Sequence, residues 1–323
     1  MCVVAPVFNE ENGLNVFYDT VASVLDSVSD SWEIIFVNDG STDGSLAVLK
    51  NLHDKDERVK VVGFSRNFGN QVAVTAGLNF SQGKAVIVMD SDLQHPPELI
   101  TEMVRLWREG FHSVYTVRDY GNEIGIVKRT TSKIFSKVMN YFSQLSMPEG
   151  LSDFRLLDRK VVNSINSMTE NSRFLRAMIS WLGFRQTGIK YIANPRFAGN
   201  TKFSLPKLIT LAIDGITSFS IYPIRWITYC GMLVAMMSMI YAGYILCEVF
   251  TTGILTPGWP SLIVAILFLG GIQLMSLGVV GEYIGRIYIE TKRRPLFIVQ
   301  EQFGFEPQET ISVSDYFEQR DAA

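Results

Sequence analysis

The segment Ala85-Val86-Ile87-Val88-Met89-Asp90-Ser91-Asp92-Leu93-Gln94-His95-Pro96 runs from an apolar strand straight into a turn with two carboxylates two residues apart. Fully buried strands of parallel sheets read as such near-continuous apolar runs, and the prolines at 96 and 97 suit the first turn of a helix. Runs of the same kind at 2–7, 32–38, 59–65 and 113–118 alternate with helical spacing over Asn12–Val28, Thr42–Lys55, Gln71–Phe80 and Pro97–Arg108. Strands alternating with helices predict an α/β fold on a parallel sheet.

The polar residues share one place in that pattern. Asn9 and Glu10, Asp39, Arg66 and Asn67, then Asp90 and Asp92 all fall at or just beyond the C-terminal end of a predicted strand, the edge where open α/β sheets bind ligands. Two carboxylates on one turn can share a divalent cation whose other ligands are diphosphate oxygens, and an oxygen-only set favours Mg²⁺ or Mn²⁺. A lone Asp-x-Asp can equally cap the following helix; its position after the fourth strand favours the metal. In Val37-Asn38-Asp39-Gly40-Ser41-Thr42-Asp43, Asp39 can accept hydrogen bonds from a base or ribose, while Asp43 or Thr42 caps the next helix. Neither a Gly-x-Gly-x-x-Gly nor a Walker lysine motif is present, which disfavours dinucleotide cofactors and ordinary nucleotide hydrolysis.

At 323 residues the chain has room for a catalytic-sized domain and something smaller. A net charge of -3 with no basic stripe argues against nucleic acid. Its three cysteines lack metal-ligand spacing and read as small buried hydrophobes. Trp226–Cys247 and Ser261–Gly281 are runs of 22 and 21 residues without a charged side chain, enough at ~1.5 Å per residue to cross ~30 Å of hydrocarbon. Arg225 precedes the first run and Arg286, Lys292, Arg293 and Arg294 follow the second, whereas 248–260 holds no Lys or Arg; both ends are expected to face the cytoplasm. No basic n-region precedes the first strand, so the N-terminal domain is expected to stay there too. The expected organisation is a cytoplasmic domain over 1–203, a juxtamembrane amphipathic helix over 204–223, transmembrane helices over 224–249 and 261–289 with a periplasmic loop at 250–260, and a cytoplasmic tail over 290–323. Between 120 and 200 two or three helices and a short strand near Thr187–Tyr191 are expected; Lys128–Phe142 is basic and amphipathic, suited to anionic headgroups or to a solvated surface.

The ordered set Pro6-Val7-Phe8-Asn9-Glu10-Glu11, Asn38-Asp39-Gly40-Ser41-Thr42-Asp43, Ser65-Arg66-Asn67-Phe68-Gly69-Asn70, Asp90-Ser91-Asp92-Leu93-Gln94-His95-Pro96 and Ser152-Asp153-Phe154-Arg155-Leu156-Leu157-Asp158 resembles the family 2 glycosyltransferases. Within them it is similar to the polyprenyl phosphate branch, above all the phage-type bactoprenol glucosyltransferases, to about residue 300. The resemblance implies a GT-A nucleotide-sugar fold. It assigns Pro6, Asn9, Glu10, Asp39, Arg66, Asp90 and Gln94 to the nucleotide sugar, Asp90 and Asp92 to the metal, and Asp92 and Asp153 to catalysis, Asp153 lying near the acceptor phosphate. Asn38 stands where relatives often have a second Asp, and His95 where close relatives often have Asp.

The implied reaction is inverting transfer of one hexose, first of all glucose from UDP-glucose, onto undecaprenyl phosphate at the inner face of a bacterial inner membrane, for O-antigen or envelope modification. GDP-mannose, UDP-GlcNAc or UDP-aminoarabinose as donor, or an inactive membrane scaffold, are the alternatives. An anionic acceptor needs cations, and Arg118, Arg129, Arg196 and Lys202 are the candidates. A phosphate nucleophile with a second pKa of about 6 is largely dianionic near neutral pH. Asp153 then positions the acceptor or takes a residual proton, unless it serves as an N-cap or pairs with Arg155. The expected partners are the donor, the polyprenyl phosphate, the membrane, a flippase and a downstream transferase, with a homo-oligomer left open.

Overall fold

A computed structural model describes residues 1–118, 148, 150–192, 222–252 and 258–305. In chain order these form β1 (Cys2–Val7), α1 (Leu14–Val28), β2 (Glu33–Asn38), α2 (Ser45–Lys55), β3 (Val59–Phe64), α3 (Asn70–Phe80), β4 (Ala85–Val88), α4 (Leu99–Arg108), β5 (Ser113–Arg118), β6 (Leu151–Asp158), α5 (Arg159–Ser167), α6 (Leu175–Trp181), β7 (Gln186–Tyr191), α7 (Tyr222–Thr252), α8 (Trp259–Thr291) and β8 (Val299–Phe303). They divide into two compact units, one holding the eight strands with α1 to α6 and the other holding α7 and α8.

The sheet runs β7-β5-β6-β4-β1-β2-β3-β8. β1 is parallel to both its neighbours, β2 and β4, and all six of its residues are buried, which is why it reads as an unbroken apolar run. Alternation along it splits the core. Val3, Ala5 and Val7 belong to the cluster that takes Leu14, Phe17, Val21 and Leu25 of α1 and Ile100 and Met103 of α4, with Phe17 edge-on to Phe36 at 5.8 Å. Val4 points the other way, against Gly77 of α3. The chain steps from β1 to β2 to β3 on one side and returns to β4 on the other. The direction of winding therefore reverses between β1 and β4, the switch point at which such sheets open a ligand crevice.

β6 departs from the expected helices of the 120–200 region. It lies between β4 and β5 and is antiparallel to both, leaving β5 parallel to β4. Its register pairs Val88 with Arg155, so Asp153, two residues further back on β6, lies across from Asp90. Asp158 at its end accepts from the Lys160 amide (2.9 Å), capping α5, and from Trp107 Nε1 (2.8 Å).

The segment expected as a cytoplasmic tail supplies a further strand. β8 pairs antiparallel with β3, Val61 opposite Phe303 and Gly63 opposite Glu301. The described part of that segment from Pro295 onward belongs to the strand-bearing unit.

α7 and α8 are both long and apolar enough to cross a membrane. α8 continues past the uncharged run to Thr291, and its Glu282 and Arg286 form an ion pair at 3.1 Å. Cys2 is buried as expected; Cys230 and Cys247 are exposed, because both lie on α7, whose described apolar side chains are largely uncovered by protein. Lys128–Phe142, residues 204–221, Arg129, Arg196, Lys202 and the chain beyond Phe305 lie outside the described residues.

Candidate active site

The turns after β1 and β2 are sewn together. Asn9 adopts a left-handed backbone (φ 58°), which Asn tolerates better than most residues. Its amide donates to Ser41 Oγ (3.0 Å), and its Oδ1 accepts from the Thr42 amide (2.8 Å). The Glu10 amide donates to Ser45 Oγ (3.0 Å), and Glu11 Oε2 accepts from the Gly44 amide (2.7 Å). Asp43 accepts from the first amide of α2, that of Ser45 (3.0 Å), but the N-cap position itself falls to Gly44, so neither Asp43 nor Thr42 caps the helix as expected.

Asp39 is buried, and its two oxygens take the amides of Phe68 (2.6 Å) and Gly69 (2.9 Å). Burial pushes its carboxyl up, opposed by those two amides and by Arg66. Asp39 thus fixes the loop from Ser65 to Gly69, in which the exposed Arg66 guanidinium lies 4.1 Å from the Phe68 ring centroid. Gly40 beneath it has φ 64°, and a Cβ there would stand 2.3 Å from the Arg66 carbonyl carbon. Only glycine suits that approach.

The Asp-x-Asp turn is anchored to the first one through Ser91 Oγ, which donates to the Pro6 carbonyl (2.8 Å). Asp92 Oδ1 accepts from the Gln94 amide (3.1 Å), and Asp90 Oδ1 accepts from Asn70 Nδ2 (3.3 Å). His95, buried, stacks on Phe154 at 5.1 Å. Its Nδ1 accepts from the Asp90 amide (3.3 Å), and its Nε2 lies 3.0 Å from Ser152 Oγ. The turn is therefore tied to β6 by the His95 ring, whose only mark in the sequence is its difference from relatives.

Asp153 meets Arg176 of α6, not Arg155: Nε donates to Oδ1 and Nη2 to Oδ2, both at 2.7 Å. Burial pushes the Asp153 carboxyl up, but Arg176, Arg155 and His95 outweigh it and hold it down at about 2. Arg155, buried, donates to the Ser152 carbonyl (2.8 Å). Asp90 is raised by burial; His95 and Asn70 oppose the rise, and Asp153 and Asp92 add to it. Arg176 was missed from the sequence; a lone guanidinium among Leu175, Ala177, Met178 and Ile179 was the available signal.

Pro6, Asn9, Glu10, Asp39, Arg66, Asp90, Asp92, Gln94 and Asp153 are thus brought to one edge of the sheet. Arg118 joins them at the end of β5, where its amide donates to the Gly150 carbonyl (2.9 Å). Among the described residues no group of three or more His, Cys, Asp or Glu side chains is arranged to hold a metal ion. Asp90 and Asp92 fit a Mg²⁺-type site, which needs only one or two carboxylates beside substrate phosphates. The like charge crowding Asp90 is the electrostatic counterpart of that fit.

Residues 2–165 match the model of glycosyl transferase family 2, and residues 222–287 match that of the GtrB C-terminal hairpin. An uncharacterized glycosyltransferase of Synechocystis is 44% identical over 306 residues, covering 95% of this chain and 96% of that protein. The bactoprenol glucosyl transferase of Shigella phage SfV is 41% identical over 300 residues, covering 93% of this chain and 98% of that protein. Among solved structures, glucosyl-3-phosphoglycerate synthase from Mycobacterium tuberculosis aligns over 67% of this chain and 77% of its own, at 19% identity and a TM-score of 0.44, too distant to carry a ligand across.

Proposed function

The chain belongs to glycosyl transferase family 2, and on that footing we propose that it transfers one glucose from UDP-glucose, with inversion, onto undecaprenyl phosphate at the cytoplasmic face of a membrane crossed by α7 and α8. The observation that carries this reading is the convergence of Asp90, Asp92 and the Asp153–Arg176 pair at the switch-point edge, in a chain similar along nearly its whole length to a protein named bactoprenol glucosyl transferase.

Asp90 and Asp92 would hold a Mg²⁺ or Mn²⁺, which would offset the charge growing on the departing diphosphate. The turns at Pro6 to Glu10 and Asp39, with Arg66 and Gln94, cradle the nucleotide sugar. Arg118, together with Arg129, Arg196 and Lys202, receives the acceptor phosphate. That phosphate is already largely dianionic, its second pKa being about 6, and needs no strong base. A carboxylate held near 2 and engaged on both oxygens by Arg176 is suited to orienting the acceptor pocket, not to removing a proton. The product calls for a flippase and a downstream transferase.

The test is purified protein in detergent with undecaprenyl phosphate and a panel of UDP-glucose, GDP-mannose, UDP-GlcNAc and UDP-aminoarabinose. Lipid-linked glucose should form from UDP-glucose and stop both in excess chelator and in Asp92→Asn, whose unfolding midpoint should match the parent. Another preferred donor displaces glucose from the proposal. Undiminished turnover in chelator or in Asp92→Asn overturns the metal assignment, and no lipid product from any donor overturns the function.

A further inference from the structure

The loop from Ser65 to Gly69 is gripped from two directions. From within the sheet Asp39 takes the Phe68 and Gly69 amides. From the edge come residues that follow α8 in the chain. The Ser65 amide donates to the Ile298 carbonyl (3.1 Å), and Phe297 stacks on Phe64 with ring centroids 5.1 Å apart and planes 16° off parallel. Phe64 in turn meets Phe68 edge-on at 5.6 Å, and Phe68 carries the Arg66 guanidinium on its face. The register between β3 and β8 slips at Gly63 and Phe64, where β3 runs into the loop. An irregularity at such a place re-aims a side chain at the end of a ladder. Beyond the loop, Asn70 at the start of α3 reaches Asp90.

Resting on the donor assignment above, we propose that the segment after α8 is a strap for the nucleotide-sugar loop, and that Phe297 is a positioning residue that sets the pose of Phe68 and Arg66 through Phe64. Phe297 itself touches no reacting atom in this role. What it supplies is pre-organisation: without the ring, the Phe64–Phe68–Arg66 stack loses its outer support, and the loop orders only when nucleotide binds. β8 alone does not account for this. Its far end, at Phe303, packs on His53 and Lys50, away from the loop, so the two ends of the segment make separable predictions.

The experiment uses the full chain in detergent with three variants, Phe297→Ala, Phe297→Tyr and Phe303→Ala. It reads hydrogen exchange at the Phe68 and Gly69 amides, and UDP affinity by calorimetry in Mg²⁺. Phe297→Ala should speed exchange at both amides and weaken UDP about 3- to 10-fold, a loss of roughly 0.7–1.4 kcal/mol. Phe297→Tyr keeps the stack and should restore both, and Phe303→Ala should lower the unfolding midpoint while leaving both unchanged. Unchanged exchange in Phe297→Ala, or equal changes in Phe297→Ala and Phe303→Ala, overturns the strap. Failure of the parent chain to bind UDP overturns the donor assignment instead, and the exchange measurement still decides whether Phe297 holds the loop.

Discussion

Arg176 and Asp153 stand 23 residues apart with no shared motif, yet they form the most completely matched ion pair near the candidate site. Their side chains are 34% and 20% exposed, so solvent screens part of the attraction. Arg176→Ala should lower stability at neutral pH by about 1–2 kcal/mol, the roughly 1.5–3 kcal/mol of hydrogen bonds to a charged group reduced by that screening. The pH dependence has a definite sign. Asp153 is depressed from its ordinary 3.8 to about 2, so the pair's contribution is fully present above about 4 and fades as pH falls towards 2. Unfolding midpoints of parent and variant in detergent should therefore converge across that window; a gap that stays constant would place the cost in packing. Asp90 and Asp92 were legible from sequence because their chemistry is contained in one turn. Arg176 was not, because what marks it is a partner on another element.

Helix α3 shows how packing overrides propensity. A glycine inside a helix costs about 1 kcal/mol relative to alanine, yet at Gly77 a Cβ would stand 2.1 Å from Val4 Cγ1 on β1. Overpacking of that kind costs about 1–3 kcal/mol, so Gly77→Ala should be neutral to destabilising by about 2 kcal/mol despite its better propensity. Val4→Ala combined with it should recover part of the loss, seen as a coupling between the single and double variants in denaturant midpoints. Additive losses would mean that the two side chains do not meet. The same balance between local pattern and distant partner explains which elements could be read in advance. β1 to β5 announce themselves as β-branched runs with helices between them. β6 does not, because Ser152, Asp153 and Arg155 break up the continuous apolar run by which the neighbouring buried strands are read. β8, Val-Gln-Glu-Gln-Phe, is too short and polar to read as a strand, and its partner β3 is more than two hundred residues earlier.

For the chain as a whole, the proposed arrangement of two spans with both ends inside makes a labelling prediction. In a chain with Cys230 and Cys247 replaced by Ala, Pro257→Cys should react with a membrane-impermeant maleimide from the periplasmic side only. Labelling from the cytoplasmic side alone would overturn the two-span arrangement. The place of β8 also sets the order in which the molecule is completed during synthesis. A ribosome adding about 5–20 residues per second reaches Val299 roughly 10–50 s after finishing β3 at Phe64. In that interval the edge of β3 is open to any passing strand, and both apolar helices are translated before its own partner emerges. Slow delivery of α7 and α8 to the proposed bilayer should therefore show itself first as aggregation of the nascent sheet, with the Ser65–Gly69 loop the last part of the strand-bearing unit to mature.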